Sequence, residues 1–435
     1  MPPVQSGVSA VSADIVPKLR GEHAIDVFVD EPVARAAADT SSAHDFVWRH
    51  HRRPYDLTVF QLGNSSHHDY LWPYLFRYPG LAVLHDSHLH HARAAALLRS
   101  NRHDAYREEF TANHPDAPRD AAELAIRGFD SFLYYVWPFV RLVLSASRLS
   151  AVHSEVMASW LRPGVPDAAI DVIRLGHGSP VTPEREERAR IEVRTRYGLA
   201  PDQFLFGCFG GVTPDKRVPQ ILDAFAAVLP SARAVHLLIA GGAAGHYDVH
   251  ADIRRHQLDG HVTVTGYLAT DDELTDCIAA ADATLNLRWP TARETSGPWL
   301  RCLAAGKPTI VIDLLQTTHV ASLDPRAWTV NGVGPPVCVA IDILDEQHSL
   351  ELAMRRLARD PELRASLGHA AREHWMREHS PEAMVEDYRR VIALAAGREA
   401  PQVRLPRHLK DDGVNLLRQL TAPFGAEVTG RIQAI

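Results

Sequence analysis

Three polar loops hold the residues with the clearest chemical potential. The first is Arg288-Trp-Pro-Thr-Ala-Arg-Glu294-Thr295-Ser296-Gly297, between an apolar run (Ala283 to Leu287) and a helical pattern ending Leu-Ala-Ala-Gly306-Lys-Pro308. Small residues at 295–297 leave first-turn N–H groups open, and these groups with the helix dipole form an anion site. A carboxylate beside an anion site suits a ligand with both hydroxyls and phosphates, such as a nucleotide sugar. A plain helix cap by Glu294 satisfies the same residues. The second loop is Gly210-Gly211-Val-Thr-Pro-Asp-Lys216-Arg217. Its glycines permit close backbone approach, and its two cations suit a diphosphate at the next helix start; a turn with two solvated cations is the alternative. The third, Gly266-Tyr267-Leu268, offers backbone groups to a flat base, or simply turns the chain.

The first half adds Leu84-His85-Asp86-Ser-His88-Leu-His90-His91 and Gly63-Asn64-Ser65-Ser66-His67-His68. Four histidines and an aspartate raise the question of a metal, but the spacing matches no usual zinc signature, so none is expected. His85 and Asp86 stand at a strand end, where titratable groups serve a substrate. His88, His90 and His91 begin the following helix. Asn64 is a second candidate, against the alternative of a structural turn. No Asp-x-Asp pair occurs in the chain. A leaving phosphate would then be stabilised without a divalent ion, by Lys216, Arg217 and the 295–297 helix start.

These loops need strands and helices to hold them. In the first half, Ile25–Val29, Leu57–Leu62, Leu81–Leu84, Ala151–Val152 and Ile170–Ile173 read as strands, with helices at Tyr70–Phe76 and Glu123–Leu144. The turn-rich stretch 175–183 marks a domain boundary. Beyond it, strands at 204–209, 235–240, 262–264, 283–287 and 309–312 alternate with helices at 216–229, 271–281 and 297–305. This alternation predicts a parallel, doubly wound sheet that binds ligands beyond the carboxyl ends of its strands. Further helices are expected at Ser349–Arg359, with Ser349 as N-cap, and at Pro381–Ala396. The domains read as 1–180, 181–396 (its last helix crossing back to the first) and a weakly patterned tail, 397–435.

The whole chain sets the outer bounds. Its 435 residues suffice for two sizeable domains, and a composition of 46% hydrophobic and 23% charged residues is that of a globular protein. A net charge of −7 points away from nucleic acid. The four cysteines lack CxxC spacing and read as reduced core thiols in a cytoplasmic protein. No stretch has transmembrane length and no signal pattern opens the chain; peripheral contact at the inner membrane face stays open.

Together these residues resemble glycosyltransferase family 4, the retaining glycosyltransferases of group 1 type. The strongest pieces are the Gly211…Lys216 loop, Gly266-Tyr-Leu, and Glu294…Leu-Ala-Ala-Gly306-Lys-Pro308. Pro2-Pro3-Val-Gln-Ser6-Gly7 is similar to the family's first glycine loop, while Phe60-Gln-Leu-Gly-Asn64 and Leu84-His85-Asp86 resemble segments of bacterial members. The resemblance implies an α/β fold of GT-B architecture, two facing Rossmann-like domains with parallel sheets. It also implies roles: Lys216 on the donor diphosphate, Glu294 on the donor sugar, the 295–297 backbone on sugar and phosphates, His85 beside the reacting carbon, and Gly7 near the donor phosphate. Asn64 and Asp86 would lie on the acceptor side.

Three departures stand out. The family's arginine five residues before the lysine is Gly211 here, with Arg217 the nearest substitute. The position of its second glutamate corresponds to Arg301, so ribose anchoring is unassigned. The family's first strand, before the glycine loop, has no counterpart, and a misplaced start or a truncated copy is the expectation. The implied function is hexosyl transfer from a nucleotide diphosphate-sugar to a carbohydrate, lipid-linked or small-molecule acceptor, in polysaccharide, envelope or glycoconjugate synthesis. A catalytically impaired binding relative is the main alternative, and a nucleotide-sugar epimerase the third.

Overall fold

The computed structural model describes residues 7–30, 39–118, 120–129, 132–231, 234–245 and 247–410, with Pro423. The chain forms two compact units. The first comprises Met1–Ile173, Ala292–Glu294 and Val385–Ile435; the second comprises Arg174–Thr291 and Thr295–Met384.

Among the described residues the first unit holds six strands: β1 (Val27–Val29), β2 (Thr40–Ser42), β3 (Val59–Leu62), β4 (Leu81–Leu84), β5 (Leu149–Val152) and β6 (Ile170–Val172). β3 to β6 form a parallel four-stranded sheet in that order, whereas β1 and β2 form a separate parallel pair. β4 and β5 are buried at every position, as continuous apolar runs covered on both faces require. Helix Gly7–Leu19 precedes β1 and buries Val11, Ile15 and Leu19, one stripe at four-residue spacing.

The second unit is built on β7 (Phe204–Phe209), β8 (Val235–Ala240), β9 (Val262–Val264), β10 (Ala283–Leu285), β11 (Thr309–Ile312), β12 (Ser322–Asp324), β13 (Thr329–Asn331) and β14 (Cys338–Ile341). The sheet order is β13-β12-β14-β11-β10-β7-β8-β9, and every pair is parallel except β12 with β13. From β7 the chain moves outward to β8 and β9, then returns to the other flank at β10. The order therefore reverses between β7 and β10, and beyond the carboxyl ends of such a pair lies the crevice where doubly wound sheets take ligands. The Lys216 loop follows β7 and the Glu294 loop follows β10. All four cysteines (208, 277, 302 and 338) are buried free thiols of this unit. Burial pushes Cys208, Cys277 and Cys302 up to about 11 and Cys338 to about 12.

Several expectations need correction. The long helix at Glu123–Leu144 is three short ones, Ala121–Ile126, Leu133–Val136 and Arg141–Ala146. Gly128 takes a positive φ of 87°, and Pro138 denies the backbone a donor, so the apolar run cannot continue as one helix. Ser349 is not an N-cap: helix Glu346–Arg359 starts earlier, and buried Ser349 bonds back to Asp345 O at 2.7 Å. The charged stretch before β7 is helix Pro183–Arg196, capped by Thr182, and Pro361–Glu378 is a further helix, capped by Asp360. Part of the tail is ordered: Val403, Leu405 and Leu409 pack on the core of the first unit. His408 Nε2 lies 2.7 Å from Glu109 Oε1, beside the buried Arg93–Glu109 pair.

Candidate functional site

In the second unit, the anchor is Gly210 at the end of β7. Its φ of +98° is one that side chains rarely adopt, and a Cβ there would stand 2.4 Å from Lys216 Nζ and 3.2 Å from Pro298 Cγ. The missing side chain is thus what lets the lysine lie across the strand end, next to the start of helix Gly297–Ala304. Lys216 Nζ also donates to Phe209 O at 3.3 Å. Trp289 N–H donates to Asp215 O at 2.7 Å, and Arg288 pairs with Asp215 at 3.5 Å. The loops after β7 and β10 are therefore tied together over the crevice. Gly211 is open, with nothing within 4 Å of an added Cβ. Gly266 turns the chain with φ +72°, Tyr267 is exposed, and Leu268 packs on an apolar cluster.

Two parts of the expected anion cradle differ. Arg217 is turned to Glu346, bonded through both Nε (2.7 Å) and Nη2, so its charge is already matched. The start of helix Gly297–Ala304 has fewer free donors than small residues suggest. Pro298 has no N–H, and Trp299 N–H is taken by the Ser296 hydroxyl at 3.4 Å. Thr295, Ser296 and Gly297 still present their own amides there. Arg301, at the position of the family's second glutamate, donates from Nε to His177 Nε2 (2.9 Å) and from Nη2 to Asp271 (3.0 Å). It is a clamp between the 175–178 turn and helix Asp271–Ala280. Burial, then the Arg301 charge, lowers His177 to about 4.

In the first unit, Asn64 and Asp86 meet at the carboxyl ends of β3 and β4. Asn64 N–H donates to Asp86 Oδ2 at 2.6 Å, and Asn64 Oδ1 accepts from Ala92 N–H at 3.0 Å in the first turn of helix His90–Leu98. The Asn64 amide also lies 3.3 Å from His91 Nδ1, and the His91 ring stands edge-on to Tyr134 and Tyr135. Asn64 is thus a staple between β3, β4 and that helix.

His85 sits in a directed chain of hydrogen bonds that sequence reading missed. His153 Nδ1 is 2.8 Å from Ile173 O, a carbonyl that only accepts, so the proton is on Nδ1. His153 Nε2 must then accept from His85 Nδ1–H, 3.1 Å away. Burial, and next the His153 ring, hold His85 well below its ordinary value, and burial lowers His153 to about 4. Both rings are therefore neutral, and His85 Nε2 needs a donor from the Gln61 amide 2.7 Å away. The amide atom 2.7 Å from His85 Nε2 is Oε1 and the one 3.0 Å from the Tyr388 hydroxyl is Nε2; two neutral rings require these two to be exchanged, so that the NH2 donates to His85 and the oxygen accepts from Tyr388. Burial pushes Tyr388 up to about 12. The signal for this chain lay in four separate strands and helices, with no spacing to betray it.

The segment Ala292–Glu294 belongs to the first unit. Ala292 O accepts from Ser87 N–H at 3.1 Å, and Arg293 lies 3.7 Å over the Trp160 ring. Trp160 also stacks on His88, which burial and then the Arg293 charge lower to about 4. Glu294 is half-buried next to these residues in sequence. Gly7 opens helix Gly7–Leu19, while the rest of the expected glycine loop, residues 2–6, lies outside the described residues. Among the described residues no group of three metal-ligating side chains occurs, and no helix is long and apolar enough to cross a membrane.

With this geometry in hand, residues 203–330 match the family described as glycosyl transferases group 1. No curated protein matches the chain in sequence. Among solved structures, the chain is similar to HepE of Anabaena in complex with UDP-glucose, at TM-score 0.58 and 15% identity over 89% of this chain and 96% of that one. It is similar to WaaG, a glycosyltransferase involved in lipopolysaccharide biosynthesis, at TM-score 0.56 and 15% identity over 90% and 96%. It is also similar to the sucrose-phosphate synthase of Thermosynechococcus elongatus, at TM-score 0.55 and 16% identity over 86% and 87%. The fold is α/β with parallel sheets, the GT-B architecture of two Rossmann-like units.

Proposed function

We propose that this protein transfers a hexosyl group from a nucleotide diphosphate-sugar to an acceptor hydroxyl, with retention at the anomeric carbon. One observation carries the reading: Lys216 Nζ lies across Gly210 at the carboxyl end of β7, beside the start of helix Gly297–Ala304 and at the sheet's switch point. A diphosphate bound there meets one ammonium and the amides of residues 295–297. As the bond from the anomeric carbon to the phosphate oxygen breaks, these groups stabilise the leaving charge. The acceptor oxygen forms the new bond on the same face, and its proton passes to the departing phosphate. Glu294 orients sugar hydroxyls. Asn64, Asp86 and the fixed, neutral His85 serve the acceptor side. No metal or cofactor is invoked. A carbohydrate or lipid-linked acceptor in envelope or glycoconjugate synthesis, met in the cytoplasm or at the inner membrane face, fits this chemistry.

A second reading, a nucleotide-sugar binder without transfer, gains support from three features. Arg217 is spent on Glu346, Pro298 removes one helix-start donor, and Arg301 replaces a glutamate in a structural clamp. Nucleoside diphosphate release from a panel of nucleotide sugars separates the two readings. Lys216→Ala and Glu294→Ala should each abolish release while leaving the protein folded. Full turnover in either variant sinks the site assignment, and tight binding without release by the unaltered protein establishes the binder.

A further inference from the structure

The turn that carries Lys216 ends in a conformation that disfavours its residue. Arg217 has φ 58° and ψ 27°, the left-handed region that suits glycine and crowds a side chain. Both peptide groups around it are committed. Its N–H donates to Pro214 O at 2.9 Å and closes the short turn Pro214–Lys216. Its carbonyl accepts from Ile221 N–H at 2.9 Å and opens helix Val218–Val228. Arg217 is thus the joint between turn and helix. A φ of the ordinary sign there would rotate the turn against the helix and carry Lys216 away from Gly210.

What holds the joint comes from a remote element of the same unit. Arg217 Nε donates to Glu346 Oε1 at 2.7 Å, and Nη2 donates to Oε2, a two-point match of planar groups. Glu346 opens helix Glu346–Arg359, where the helix dipole favours a carboxylate, and its side chain is only 9% exposed. The first turn of that helix is fixed in its own right, with the Ser349 hydroxyl bonded to Asp345 O at 2.7 Å. Leu350, Met354 and Leu357 of this helix share one buried core with Ile221, Leu222 and Phe225 of helix Val218–Val228. The carboxylate therefore stands on a frame that is fixed relative to the joint it grips. Glycine would take this φ unaided, so the arginine marks a side chain with a task of its own.

We propose that Arg217 and Glu346 are positioning residues of the donor site. Their pair holds residue 217 left-handed and so points Lys216 across Gly210, while neither of them touches the diphosphate. This rests on the reading that Lys216 meets a donor diphosphate. It differs from the role that the sequence position suggests, in which Arg217 is itself a phosphate ligand.

The chain has four lysines, Lys18, Lys216, Lys307 and Lys410. Carbon-13 at their ε positions gives an NMR spectrum in which Lys216→Arg identifies the Lys216 signal. Arg217→Ala and Arg217→Gly are compared in a Glu346→Gln background, where no carboxylate is left unpaired. Arg217→Ala should move the Lys216 signal toward its position in denaturant. It should also raise the dissociation constant of the tightest binder among UDP, ADP, GDP and dTDP by about tenfold or more. Arg217→Gly should recover at least half of both effects, affinity on a logarithmic scale, because glycine reaches the same φ. Glu346→Gln alone should shift the signal part of the way. Equal affinity losses in the glycine and alanine variants overturn the proposal, since the charge of Arg217 is then what the donor meets. A Lys216 signal unmoved in both variants overturns it too and leaves the pair a plain staple. Tighter nucleotide binding in Glu346→Gln overturns it in favour of an arginine held back from the diphosphate. If Arg217→Ala does not fold, a Lys216 signal unmoved in Glu346→Gln overturns the proposal. Unchanged affinity in Lys216→Ala strikes the donor reading instead, and the Lys216 signal still decides the positioning.

Discussion

Gly210→Ala puts the proposed donor site under a single-atom test. The new Cβ would fall 2.4 Å from Lys216 Nζ, well inside contact distance, and φ is +98°. The lysine tip is the flexible partner, so it yields, and the ammonium is pushed off the strand end. The backbone pays about 1–3 kcal/mol of strain in stability, which a folded unit of this size tolerates. Donor binding loses a charge-assisted hydrogen bond, about 1.5–3 kcal/mol. At 1.4 kcal/mol per tenfold, the dissociation constant should rise by about 10- to 150-fold. The assay is calorimetric titration with whichever nucleoside diphosphate binds the unaltered protein best. Lys216→Ala alone should cost a similar amount, and the double variant should match the single lysine variant within about 0.5 kcal/mol, because both remove one contact. Unchanged affinity in Gly210→Ala refutes the placement of the ammonium. Additive losses refute the claim that the glycine acts through the lysine.

Three further outcomes follow from the same geometry. Gly211→Arg meets open space and restores a cation that the family resemblance places there, so donor affinity should rise by about tenfold, measured by the same titration. His153, lowered by burial to about 4 in the fold against an ordinary 6.5, binds its proton more readily when unfolded. Its contribution is therefore full above pH 6.5 and is lost as pH falls toward 4, at up to about 1.4 kcal/mol per pH unit. Denaturant unfolding at stepped pH should show this slope, reduced in His153→Gln. Glu109→Gln strips the buried Arg93 and His408 of their shared carboxylate and should cost about 3–5 kcal/mol, read as a lower denaturation midpoint with Val403–Lys410 more open to proteolysis.

Much of the second unit was legible because its central strands are largely apolar runs buried on both faces, bounded by turns. β7, β8, β9 and β11 stand where the alternation of strand and helix placed them. The short strands β12 and β13 at one end of the sheet were not legible, since three residues of mixed polarity carry no period. The run 123–144 misled because apolar content persisted through Gly128 and Pro138, and only the backbone terms break it. Candidate residues were readable where a loop follows a strand, as at Lys216 after β7 and His85 after β4. The surrounding partners were not, because Glu346 meets Arg217, His153 meets His85 and Tyr388 meets Gln61 from remote elements through tertiary packing. Pro298 was visible all along, and its missing N–H follows from its identity.

The confinement of every thiol to one unit has a practical corollary. Residues 208, 277, 302 and 338 are all buried in the second unit, and the first has no cysteine among its residues. With their ionisation pushed to about 11 or 12, these groups stay silent toward alkylating reagents until the sheet around them opens. Labelling kinetics then report the breathing of the second unit by itself, in the unmodified chain. A donor that binds there would slow the labelling in proportion to its occupancy, giving a readout of binding that needs no acceptor and no turnover.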